Sequence, residues 1–195
     1  MYNFTTMFNF RRAADYLFYR FKAKTRHGTH SPFVYRLVDK VIYDFSAKKV
    51  YDELKLSDST RSVKLNQLLY RLAADWKPET IIELGQPLGI TSQYLQKAAP
   101  DARVYTGNKF PDKPGLIFIN TDKGEEALTY FEQSLPKINA NTMLIIDNIH
   151  ANEGMKQAWA KLKANPHVTV TIDLFWIGLV YFRIGQVKEN FIIKI

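Results

Sequence analysis

Residues 80–92 read TIIELGQPLGITS, and the fold follows from how this stretch divides. Thr80–Leu84 is a short apolar run with β-branched residues, bounded by Pro78 and Gly85, which predicts a buried strand. Gly85 and Gly89 then bracket a tight turn, and a helix is expected over about 90–98. The glycines let the backbone turn sharply and approach a ligand closely, while the helix N-terminus behind them offers free N–H groups. The loop is not G-x-G-x-x-G, and it lacks the lysine of a phosphate-binding P-loop. On its own, E-x-G-x-x-x-G also fits a plain strand–helix turn.

Downstream the same alternation continues. Further strands are expected at 102–106, 116–119, 142–147, 168–174, 178–183 and 191–195. Helices are expected at 123–135 and around Met155, Ala158, Trp159 and Leu162. Strands alternating with helices, then strands in succession, predict an α/β sheet that is parallel in the middle and antiparallel at its C-terminal end. Upstream the pattern is helical. Met7, Phe10, Ala14, Leu17 and Phe21 form the apolar stripe of a basic amphipathic helix over roughly 6–24. Ser31-Pro32 offers an N-cap and a first-turn proline for a second helix carrying Val34, Leu37, Val38, Val41 and Ile42. Residues 46–60 are polar and weakly patterned. Val63, Leu65, Leu68, Leu69 and Leu72 suggest a third helix, ended by Pro78. The division expected is a helical segment, 1–78, packing on an α/β domain, 79–195.

Composition narrows the class. The chain has 195 residues, 46% hydrophobic, with no cysteine and a formal net charge of +8. Disulfides, thiolate metal sites and a cysteine nucleophile are excluded. The basic excess is local: residues 1–80 hold 15 of the 27 Lys and Arg but only 8 of the 19 Asp and Glu. No apolar run approaches a membrane span, and the opening MYNFTTMFNFRRAADYLFYRF carries charge inside its apolar stretch, unlike a signal peptide. A cytoplasmic protein is expected.

The wider context of the first loop resembles a known family. IIELGQPLGIT is similar to the first motif of class I S-adenosylmethionine-dependent methyltransferases, notably the small-molecule O-methyltransferases related to catechol and caffeoyl-CoA O-methyltransferase. LIFINTDKGEEALTYFE, residues 116–132, resembles that group's strand and helix bearing the catalytic lysine, and MLIIDNIH, residues 143–150, its strand ending in a metal-binding Asp-Asn. HGTHSPFVYRLV, from His27, resembles the opening of a Bacteroidetes branch of such proteins. The resemblance spans roughly residues 25–195. It implies a Rossmann-like sheet and S-adenosylmethionine as cofactor. It places Glu83 near the methionyl end, Gly85 and Gly89 around the cofactor, and Thr91 on its carboxylate. Lys123 would take the acceptor's proton, and Asp147 and Asn148 would bind Mg²⁺. The protein's share of the chemistry would be alignment and a lowered pKa for the nucleophile.

Three departures bear on activity. Asn108 stands where the family has an acidic residue on the ribose hydroxyls, and an amide is the weaker acceptor. Asn120 stands where the first metal-ligating Asp would be, which makes Mg²⁺ doubtful because that ion favours carboxylates. Only residues 107–115 separate the strand at 102–106 from the next, where the family has a helix, a strand and another helix. A βαβ unit needs about 30 residues. The sheet is therefore expected to lose its third strand with the flanking helices, leaving 102–106 as a bare edge. The aromatic N-terminal helices, or a second copy of the chain, are expected to cover this edge and the sheet face left uncovered.

Several residues have plainer readings. Lys123 opens a helix, where lysines are usually solvated. His27 and His30 flank Gly28 in a turn, His150 is a loop histidine, Trp159 fits a helical core stripe, and Trp176 could line a pocket. The basic helix would dock on the domain. Membrane-surface binding has weaker support, and nucleic-acid binding is not expected, for no recognition motif accompanies the charge. The expected function is O-methyl transfer to a small hydroxyl acceptor. The alternative is a degenerate relative that keeps the scaffold for binding or assembly.

Overall fold

The computed structural model describes residues 4–54, 62–87, 89–107 and 110–195. The helical half comprises α1 (Phe4–Lys22), a 3₁₀ turn (Arg26–Gly28), α2 (Pro32–Leu37), α3 (Lys49–Leu54) and α4 (Val63–Trp76). The weakly patterned stretch near residue 50 thus contains a short helix that the sequence does not announce. Pro32 starts α2, but Ser31 makes no side-chain cap; its hydroxyl accepts from Gln186 Nε2 at 3.3 Å. A π-helical turn, Val38–Ile42, extends α2, and its open carbonyls are met from α4. Arg71 donates to Val41 O at 2.8 Å and to Ile42 O at 3.1 Å. Lys77 ends α4 in the left-handed conformation, φ 51°, with its N–H donating to Ala73 O at 2.9 Å, a common helix C-terminal geometry.

The sheet half follows as β1 (Thr80–Gly85), α5 (Ile90–Ala98), β2 (Arg103–Thr106), β3 (Leu116–Asn120), α6 (Gly124–Ser134), β4 (Met143–Asp147), α7 (Glu153–Ala164), β5 (Val170–Asp173), β6 (Ile177–Tyr181) and β7 (Glu189–Ile192). The strands form one sheet in the order β2-β1-β3-β4-β6-β5-β7. β1 pairs parallel with β2 and β3, and β3 with β4; β6 runs antiparallel to β4 and β5, and β7 pairs parallel with β5. The antiparallel end therefore rests on one reversed strand.

Both faces of the sheet are covered, and each has its own core. Val34, Leu37, Leu69 and Leu72 pack with Ile81, Phe118 and Ile145 on one face. Phe131, Met155, Trp159 and Leu162 pack with Ile82, Ile117 and Ile146 on the other. The alternation along β1 and β3 sends successive side chains to opposite cores, and so these strands read as unbroken apolar runs.

β2 stands at the edge. The link over 107–115 returns to β3 past β1, and its described part holds neither helix nor strand. Phe110 from this link packs on the second core instead. The N-terminal helices cover a face of the sheet, as expected, through α2 and α4, but α1 does not lie on this edge. α1 docks at the opposite end of the sheet, where Tyr16 and Tyr19 meet Phe175, the Tyr19 hydroxyl donates to Ile193 O, and Lys24 N donates to Ile192 O at 2.8 Å. Its aromatic face finds a partner in the β5–β6 turn, which β2 lacks. No helix among the described residues is long and apolar enough to cross a membrane.

Candidate active-site cleft

Parallel strands bring their carboxyl ends to one edge, and a cleft of about 900 Å³ opens there. One wall is the β1–α5 loop with Gly89 and the first turn of α5 with Thr91. The floor is Asn120, Asp147 and Asn148 at the ends of β3 and β4. α4 closes one side with Lys64, Leu68 and Arg71, and Trp176 and Arg12 close the far end.

The loop glycines do different work. Gly85 has φ +86°, and a Cβ there would lie 2.2 Å from Asn120 O. Gln86 N donates to Asn120 O at 2.8 Å, and Asn120 Nδ2 returns to Gln86 O at 2.9 Å. Gly85 thus permits β1 and β3 to be laced together at their ends. Gly89, the N-cap of α5, has φ 55° and ψ −121°, a conformation that essentially only glycine adopts, and nothing lies within 4 Å of its would-be Cβ. The side of Gly89 where a Cβ would stand is therefore open, next to the first turn of α5, whose N–H groups have no intrahelical acceptor.

Other expected cofactor contacts are committed within the protein. The Thr91 hydroxyl donates to Asn66 Oδ1 of α4 at 2.8 Å, so in this arrangement its proton is not offered to a ligand carboxylate. Glu83 is outside the cleft lining; Ser92 of α5 donates to its carboxylate, and burial raises its pKa against that hydrogen bond. Asn108 and the side chain of His27 lie outside the described residues.

Asp147 is 2% exposed and accepts from Asn148 Nδ2 at 3.1 Å. Asn148 turns left-handed, φ 56°, and its N–H donates to Trp176 O at 2.7 Å, tying the end of β4 to the β5–β6 turn. Among the described residues that line the cleft, Asp147 is the one side-chain carboxylate, and no cluster of three His, Cys, Asp or Glu able to hold a metal occurs among the described residues. One carboxylate with two amide oxygens is a poor donor set for a hard divalent ion that favours carboxylates.

Lys123 is not brought to this site. It is exposed at the N-cap of α6, its N–H donates to Thr121 Oγ1 at 3.1 Å, and it does not line the cleft. His150 does not line the cleft. It donates through Nε2 to Asp173 at 2.7 Å and stacks on Phe175 at 5.0 Å, while Trp159 Nε1 donates to the same carboxylate at 3.2 Å. His30 is exposed. Sequence reasoning missed Arg12, Asn66, Arg71 and Asp173. A polar residue inside an apolar stripe was the available signal for Asn66 and Arg71, and an Asp ending VTID for Asp173.

No protein-family model matches the chain, and no curated protein matches it in sequence. Solved structures do match in fold. A methyltransferase from Podospora anserina with SAH bound superposes with a TM-score of 0.56 at 11% identity, covering 80% of this chain and 97% of that one. An O-methyltransferase from Streptomyces achromogenes in complex with SAM gives 0.53 at 16%, covering 77% and 95%. A methyltransferase from Geobacter sulfurreducens gives 0.51 at 16%, covering 70% and 90%. At these identities the likeness is one of fold. The chain has the Rossmann-like α/β fold of the class I methyltransferases.

Proposed function

We propose that the protein is an S-adenosylmethionine-dependent methyltransferase acting on a hydroxyl of a small acceptor. The observation that carries this reading is the cleft itself. A side-chain-free Gly89 and the open first turn of α5 face, across the ends of β3 and β4, a buried carboxylate. The fold likeness to proteins solved with SAM or SAH supports the same cofactor here.

The residues present fit the methionyl half of that cofactor. The first-turn N–H groups of α5 suit a carboxylate, and Gly89 leaves room for the chain behind it. The bound cofactor supplies an already activated methyl group, so the chain has to bind and orient. Asp147 accepts a hydrogen bond from the acceptor hydroxyl and aims its oxygen. Asp147 also stands where the departing proton can be received, the role expected of Lys123, which lies outside the cleft. The apolar lining from Ile42, Leu65, Leu68 and Ile90 excludes water. Mg²⁺ does not fit the donor set, and no step depends on it.

Calorimetric titration with S-adenosylmethionine and S-adenosylhomocysteine, with and without Mg²⁺, tests this. The expected result is micromolar binding that is indifferent to Mg²⁺ and lost in Gly89→Val, which strains only the loop. A second reading draws on the bare β2 edge, which leaves the adenosyl side short of a wall: a scaffold that binds or assembles without methyl transfer. Absence of binding at millimolar cofactor would favour it.

A further inference from the structure

The charged residues along the first helix are almost all accounted for. Arg11 pairs with Glu153 at 3.1 Å and Asp15 with Lys156 at 3.0 Å, both on α7; Arg20 and Lys22 lie over Tyr16 and Phe18 of their own helix. Arg12 differs. Its guanidinium lies 4.7 Å over the Trp176 ring, it lines the cleft, and its Nε is buried without a hydrogen-bond partner. Among the described residues it has no ion pair. A buried donor without an acceptor is costly, and its presence beside the cleft calls for an explanation.

The position of Arg12 gives this meaning. Asn148 N–H holds the Trp176 carbonyl at 2.7 Å, so the aromatic platform under Arg12 is fixed to the residue next to Asp147. Gly89 follows β1, whereas Trp176 lies between β5 and β6, with β3 and β4 between. At about 4.8 Å per strand, β1 and β6 are roughly 14 Å apart, so Arg12 stands well across the cleft from Gly89. The side-chain charges of the described lining are Arg12, Lys64 and Arg71 against Asp147, an excess that favours an anion. With the guanidinium carbon over the indole, the two terminal NH₂ groups of Arg12 make no hydrogen bond among the described residues, and such a pair of donors matches a carboxylate.

We propose that Arg12 and Trp176 form the acceptor's recognition subsite, and that the acceptor is a hydroxyl-bearing organic acid whose carboxylate binds the Arg12 guanidinium. This rests on the methyltransferase reading for the hydroxyl, but not for the carboxylate. The acid group lies on Arg12, the body on the apolar lining, and the hydroxyl at Asp147.

The test compares para-hydroxybenzoate with the neutral para-hydroxybenzamide by calorimetry, on wild type and Arg12→Gln, with and without saturating S-adenosylhomocysteine. Wild type is expected to bind the acid about ten-fold more tightly than the amide. Arg12→Gln should bring the two to within about two-fold while leaving S-adenosylhomocysteine affinity unchanged, and Arg12→Lys should keep part of the preference. Thermal melts of both variants check folding. Equal binding of acid and amide by wild type, no acid binding at millimolar concentration, or a preference intact in Arg12→Gln would overturn the proposal. Loss of S-adenosylhomocysteine affinity in Arg12→Gln would also overturn it, assigning Arg12 to the cofactor. Acid preference in a wild type that binds no S-adenosylhomocysteine supports the subsite and sinks only the methyltransferase reading.

Discussion

Gly85 has no space for a side chain, and two costs add if one is supplied. A non-glycine residue at φ +86° is strained, and a Cβ 2.2 Å from Asn120 O forces β1 and β3 apart. Gly85→Ala is expected to destabilise by about 2–4 kcal/mol in chemical denaturation. Glu83 sets a pH dependence. Burial, opposed by the Ser92 hydrogen bond, raises its pKa above 4.5, so the folded state holds its proton more tightly than the unfolded chain. Its contribution is full below 4.5 and is lost as pH rises through the folded value. Wild type should therefore lose stability relative to Glu83→Gln as pH climbs from 4.5, and denaturation across that range reads the difference. The role of Gly85 was legible in the sequence because a strand–glycine–helix turn implies a close approach. The commitment of Thr91 to Asn66 was not, since it depends on which helix packs above the loop.

At the scale of elements, α1 and α4 shape the cleft from outside the sheet. Arg71 reaches from α4 to two carbonyls at the end of the π-helical turn and also lines the cleft. Arg71→Ala leaves both carbonyls without this partner, and a loss of about 2–3 kcal/mol is expected, read by urea denaturation. α1 is held by Tyr19, 5% exposed, against Phe175 and Ile193 O. Tyr19→Ala should release it, and limited trypsin digestion should then cut at Arg20 and Lys22 at least about ten-fold faster, as for a locally unfolding unit. The amphipathic stripe of α1 announced that the helix docks. It could not say where, because the receiving surface is a turn at Phe175-Trp176 far along the chain. Each of the seven strands of the described sheet had a counterpart in the sequence, though β7 begins two residues before the expected stretch, and α3 and the π-helical turn had none, being short and set by packing.

For the whole molecule, the sheet is strongest at its centre. β3 and β4 are buried along nearly their whole length, whereas β2 is exposed at both ends and pairs on one side only. Amide exchange should be slowest in β3 and β4 and faster by orders of magnitude in β2. The same experiment tests whether a second copy of the chain covers that edge, for protection of β2 should then rise with protein concentration. The edge position of β2 was legible from the shortness of the link, for only nine residues, 107–115, stand between it and β3. The choice of docking edge for α1 was not.

The tie between α1 and β7 also bears on how the chain assembles. Tyr19 bonds Ile193 across 174 positions, and Lys24 bridges to the same residue. During synthesis α1 emerges long before the surface that receives it has been made. The helix must wait, apolar face unpartnered, while the sheet is built strand by strand. The end of the cleft where Arg12 meets Trp176 therefore cannot close until late in the chain's synthesis.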